Sequence, residues 1–108
     1  MSTAVKSQVL KLAELATYQE GSVVSRQITK EEAGNVTLFA FDEGQELSEH
    51  RAPYDALVYV LDGKVEVRIA GKPFMLATGD AIIMPANEPH ALKALKRFKM
   101  LLTMIRSG

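Results

Sequence analysis

From Ser22 onward, turn-forming residues break this chain before any helix-length apolar pattern can develop. Val23–Thr29 is β-branched and alternating, and Ala33-Gly34-Asn35 reads as a turn before Val36–Phe41. Asp55–Leu61 runs into Asp62-Gly63, a two-residue hairpin signal, because both central positions of such a turn need positive φ. In Lys64–Ile69, Val65, Val67 and Ile69 fall on one face while Glu66 and Arg68 fall on the other, the pattern of a half-buried strand. Ala70-Gly71-Lys72 turns the chain again, and Pro73–Leu76 returns. Thr78-Gly79-Asp80 precedes Ala81–Met84, and Pro85 and Pro89 bracket a loop. His90–Ala94 and Phe98–Ile105 complete the series. Many short strands at close spacing predict an all-β sandwich or barrel. Residues 1–21 differ: Val9, Leu10, Leu12 and Leu15 have partial helical spacing among good helix formers. They predict a short N-terminal helical turn or arm, followed by one barrel domain over residues 22–108.

Several strands are apolar on both faces. Ala56, Val58 and Val60 alternate with Leu57 and Tyr59, and Leu38 and Ala40 alternate with Phe39 and Phe41. In the last strand Met100, Leu102 and Met104 alternate with Leu101 and Ile105. A barrel of 108 residues cannot cover both faces of each strand from within. A homodimer packed sheet to sheet is therefore expected; the alternative covering is the N-terminal arm. The 13 basic and 13 acidic residues cancel, so nothing steers the chain toward nucleic acid or an anionic membrane. The absence of cysteine excludes disulfides and thiolate metal sites. The start has no basic segment leading into a long apolar run, and Met100–Ile105 is too short to span a bilayer. A cytoplasmic location is the expectation.

Two stretches carry more specific information. Five residues separate Gly44 from His50, and Gly63 closes the strand that follows. Five residues separate Gly79 from Pro85, and four separate Pro85 from His90. Together they resemble the two signature motifs of the cupin family, G-x5-H-x-H-x3,4-E-x6-G and G-x5-P-x-G-x2-H-x3-N. The resemblance covers residues 36–105 and implies a double-stranded β-helix, a jelly-roll-like antiparallel barrel with its site inside. It puts His50 and His90 at the first and last of four metal-ligand positions, and Ala52 and Ala56 at the other two. Asn87 replaces a motif glycine and tolerates positive φ, so the turn is expected to survive. Ala94 replaces the final asparagine.

His50, Ala52 and Ala56 share parity, and in a regular strand they would face one way. Only His50 carries a ligand there. Catalytic zinc usually takes three protein ligands, and non-haem iron commonly takes two histidines and a carboxylate. Two histidines and water support only weak, exchangeable binding of a divalent ion such as Zn, Ni, Fe or Mn. A third donor has to come from outside the usual positions. Asp55 would reach inward only through a β-bulge near Pro53, and Glu49 is offset in the same way. Glu46 has the parity of His50. The plainer reading is that His50 and His90 are hydrogen-bonded remnants in a pocket.

Tyr54 also shares the parity of His50 and is a candidate pocket phenol, or simply a rim residue. Met84, with Met75, Met100 and Met104, can line a soft apolar cavity or fill the core. Lys99 opens an otherwise apolar strand, as a pocket ammonium or as a cation that snorkels at the strand end. The favoured function is a small-ligand-binding barrel with a degenerate metal site. The alternatives are a metalloenzyme of isomerase or dioxygenase type, with His50, His90 and a non-standard third ligand, and a metal-free epimerase-like enzyme pairing a histidine base with Tyr54.

Overall fold

The computed structural model describes residues 6–106. A single 3-10 turn at Leu12–Glu14 precedes nine strands. They are β1 (Val23–Glu31), β2 (Gly34–Phe41), β3 (Glu46–His50), β4 (Tyr54–Asp62), β5 (Lys64–Ile69), β6 (Lys72–Ala77), β7 (Ala81–Met84), β8 (His90–Ala94) and β9 (Phe98–Arg106). One sheet has the order β1-β2-β9-β4-β7 and the other β3-β8-β5-β6. Each pairing is antiparallel. The fold is the all-β barrel of two facing sheets that the strand pattern and the motifs predict.

Alternation builds the core. On β4, Ala56, Val58 and Val60 are buried while Asp55, Leu57 and Tyr59 face outward. Their inward side chains meet Val65 and Val67 of β5 and Leu92 and Ala94 of β8 from the opposite sheet. Phe41 and Phe98 stack at the heart of this layer with ring centroids 4.6 Å apart. Each buried Val, Leu or Phe of this layer stabilises the fold by about 1.5–3 kcal/mol.

Asp62-Gly63 is not a hairpin. β4 pairs with β7 and β9, and β5 pairs with β6 and β8, so the chain crosses between sheets there. Gly63 alone of the pair has positive φ, at 91°, and a Cβ on it would overlap the Arg97 carbonyl. The signal was steric, not a turn type. The two-residue turn with both φ positive is Ala70-Gly71, at 51° and 82°, joining Ile69 to its partner Lys72. The turn expected at Ala33-Gly34-Asn35 falls instead at Glu32-Ala33, and Gly34 opens β2. Asn87 adopts φ 67°, as its substitution for glycine requires.

A second apolar cluster lies on the outer face of the five-stranded sheet. Leu10, Leu12, Leu15, Ala16 and Tyr18 of the arm pack there against Leu38, Ala40 and Leu101. Polar contacts strap the arm down. The Tyr18 hydroxyl donates to Asp62 at 2.6 Å, and the Gly21 N–H donates to Asp42 at 2.6 Å. Arg97 donates to the other Asp42 oxygen at 2.8 Å. The arm covers only part of this face: Leu57, Tyr59, Ile83 and Ile105 remain exposed. Among the described residues no helix is long and apolar enough to cross a membrane.

Candidate functional site

The site is assembled where β3 meets β8. Leu47 pairs with Leu92 and His50 with His90, with a register shift between Leu47 and His50. Three residues apart, Leu47 and His50 would face opposite ways in a regular strand. The extra residue restores them to one side, and both line an interior cavity of about 220 Å³. His90 and Leu92 reach it from β8, two residues apart as a regular strand allows. The five-stranded sheet contributes Phe39, Ala56, Met84, Met100, Leu102 and Met104. His50 stands exposed at the mouth, whereas His90 is 3% exposed.

The two imidazoles are held in parallel fashion. His50 Nδ1 lies 2.9 Å from the Ser48 carbonyl, and His90 Nδ1 lies 3.1 Å from the Glu88 carbonyl. A carbonyl only accepts, so each Nδ1 carries the hydrogen. That leaves the Nε2 atoms as the free ring nitrogens, and they face each other at 3.1 Å with the rings at 75°. Two neutral rings so arranged oppose their lone pairs. A proton on one ring, or a donor or cation brought by a guest, relieves that opposition. Burial, and then the His50 charge, push the His90 imidazole below its ordinary pKa, partly offset by the Glu88 carbonyl. Both causes favour the neutral form of His90.

Of the residues singled out in the sequence, His50, Met84 and His90 come together, and Met100 and Met104 join them. Tyr54 does not line the cavity; it pairs with Arg106, whose guanidinium lies 5.9 Å from its ring. Tyr54 lies on the same side of β4 as Ala56, which lines the cavity, but it opens the strand two residues nearer its end. Lys99 lies on the outer face, donating to the Ala13 carbonyl with its ammonium 5.0 Å from the Tyr18 ring. Met75 is 65% exposed on β6. None of Asp55, Glu49 and Glu46 lines the cavity. Asp55 accepts the Ala86 N–H at 2.9 Å and so fixes the loop after β7. Glu46 borders a depression outside the four-stranded sheet with Glu66, Arg68 and Lys93, because the β3 bulge reverses the parity it shares with His50. Phe39, Leu47, Leu92 and Leu102 escaped the sequence reading; only strand alternation marked them.

The Cupin domain family model matches residues 37–105. This chain is a cupin. A crystal structure of a conserved protein of unknown function from Streptococcus pyogenes is similar to it, with 34% identity, a TM-score of 0.89, and coverage of 94% of this chain and 90% of that one. A cupin 2 conserved barrel domain protein from Leptotrichia buccalis is 41% identical over 90% of this cupin at a TM-score of 0.87, but the match spans only 47% of that longer chain. A cupin superfamily protein from Desulfitobacterium hafniense is 27% identical, with 94% coverage of both chains and a TM-score of 0.88. No curated protein matches the sequence.

The family's usual divalent ion does not fit this cupin's residues. Alanines hold two of the four ligand positions, and among the described residues no carboxylate lines the cavity. Among the described residues no group of three or more histidines, cysteines or carboxylates converges on a point. Two imidazoles leave a zinc or iron site at least one protein donor short.

Proposed function

We propose that this cupin is a small-ligand-binding barrel whose ligand occupies the interior cavity against His50 and His90. One observation carries this reading: His50 and His90 are the polar side chains on an otherwise apolar wall, with both Nε2 atoms turned to the same point. Binding sites commonly combine an apolar lining with a few convergent polar groups. At about 220 Å³ the cavity is smaller than the roughly 300–1,000 Å³ of drug-sized pockets. The guest is therefore small, mostly apolar, and brings a donor or positive charge to the two nitrogens. Tyr54 is not among the residues that line the cavity, which favours binding over an epimerase-like histidine–tyrosine pair.

The test is a thermal-shift screen of small amines, alcohols and azoles. A guest at a hundredfold excess over its Kd stabilises the fold by about 2.7 kcal/mol. A shift lost in His90→Phe supports the reading; a flat response across the panel contradicts this organic guest class.

We propose further that the barrel is a homodimer. Leu57 pairs with Ile83 across β4 and β7, and Asp55 pairs with Ile105 across β4 and β9. The exposed Leu57, Tyr59, Ile83 and Ile105 thus adjoin on one face, beside the half that the arm already seals. A contiguous apolar patch favours a partner. The zero net charge sets no long-range repulsion against a second copy.

A further inference from the structure

Ala56 stands where the motif has its glutamate, and the residues facing it are unusual for that position. Its cross-strand partners are Met84 on β7 and Met104 on β9. Side chains paired directly across a ladder have Cβ atoms about 4.5–5.5 Å apart. Both methionines line the cavity with Ala56, His50 and His90. Two thioethers therefore flank the place of the missing carboxylate.

This changes which ion the cavity suits. Hard divalent ions favour carboxylate and water and imidazole serves zinc and copper alike, so it is the soft thioethers that select Cu(I). The Nδ1–H contacts to Ser48 and Glu88 are of the kind that orient ligating imidazoles. An ion at the two Nε2 atoms removes the opposition of their lone pairs.

We propose that the cavity binds one Cu(I) ion through Nε2 of His50 and His90 and the thioether sulfur of Met84 or Met104. The inference rests on the cavity's being the ligand site, and it names the ligand. The opposing account is that the methionines only fill the volume left by Ala56.

The deciding experiment titrates untagged protein with Cu(I) under anaerobic conditions, in competition with a chromogenic Cu(I) chelator. The parent is expected to take one equivalent of Cu(I) per chain and to bind Zn(II) more weakly, because the thioether donor favours the soft ion. Met84→Leu/Met104→Leu conserves volume and should fold as the parent does. It is expected to lose at least about tenfold in Cu(I) affinity with its apo melting temperature little changed. Undiminished Cu(I) affinity in that variant, or substoichiometric binding by the parent, overturns the proposal. If the amine, alcohol and azole panel still shifts a protein that rejects Cu(I), the copper inference fails and the cavity reading survives. If Cu(I) binds and the panel does not, the organic guest class is wrong and the copper site stands.

Discussion

His50 and His90 face each other through Nε2 at 3.1 Å, and each is tied through Nδ1 to the carbonyl two residues before it. The tie fixes the tautomer from the backbone, independently of any guest. Long-range nitrogen–proton NMR at pH 7 should therefore find the His90 hydrogen on Nδ1. A hydrogen on Nε2 with a bare Nδ1 would contradict the geometry.

The arm strap should be acid-labile. The Arg97 guanidinium, with the Gly21 and Glu43 N–H groups, lowers the Asp42 pKa from 3.8 to about 2. A depressed carboxylate contributes stability above its unfolded pKa and loses it as pH falls toward the folded value. Asp42→Asn should therefore lower the melting temperature at pH 6, and the deficit should shrink between about pH 4 and pH 2. Melting curves across that range check it; a constant deficit would remove Asp42 ionisation from the account.

Gly63 and Gly71 separate strain from space. Both have positive φ, at 91° and 82°, but only at Gly63 would a Cβ overlap a neighbour, the Arg97 carbonyl. Gly71→Ala should cost about 1 kcal/mol from backbone strain alone. Gly63→Ala should cost clearly more, because the corner between the sheets has to open. Urea unfolding of the two variants measures the difference.

The open outer face predicts an oligomer. Light scattering at micromolar concentration should give about twice the 11.9 kDa chain mass. Ile83→Lys should yield a monomer that remains folded, since Ile83 is exposed on β7. A monomeric parent would leave the patch formed by Leu57, Tyr59, Ile83 and Ile105 without its proposed partner.

The sequence made the barrel legible through alternation and through glycines whose spacing survives wherever the backbone needs them. It also paired His50 with His90, because the motifs place both at the site. Its errors came where a local rule met a non-local fact. Asp62-Gly63 reads as a hairpin until β4 and β5 are seen in different sheets. Glu46 reads as inward until the bulge between Leu47 and His50 reverses its parity. Tyr54 has the inward parity of Ala56, but it opens β4 opposite Arg106 and stops short of the cavity. Lys99 opens an inward-looking strand yet serves the arm through Ala13 and Tyr18. Met84 and Met104 were visible as methionines, but only the pairing of three strands puts them on either side of Ala56.

The central claim is that ligand enters the cavity between His50 and His90. The most direct measurement is carbon-13 methyl NMR of methionine-labelled protein during titration with Cu(I) and with the best small guest. Met84, Met100 and Met104 line the cavity, and Met75, exposed on β6, is an internal control. The account predicts that the cavity methyl signals of Met84 and Met104 shift with saturation while Met75 stays in place. Saturable binding that leaves Met84, Met100 and Met104 unmoved would place the ligand elsewhere and contradict it.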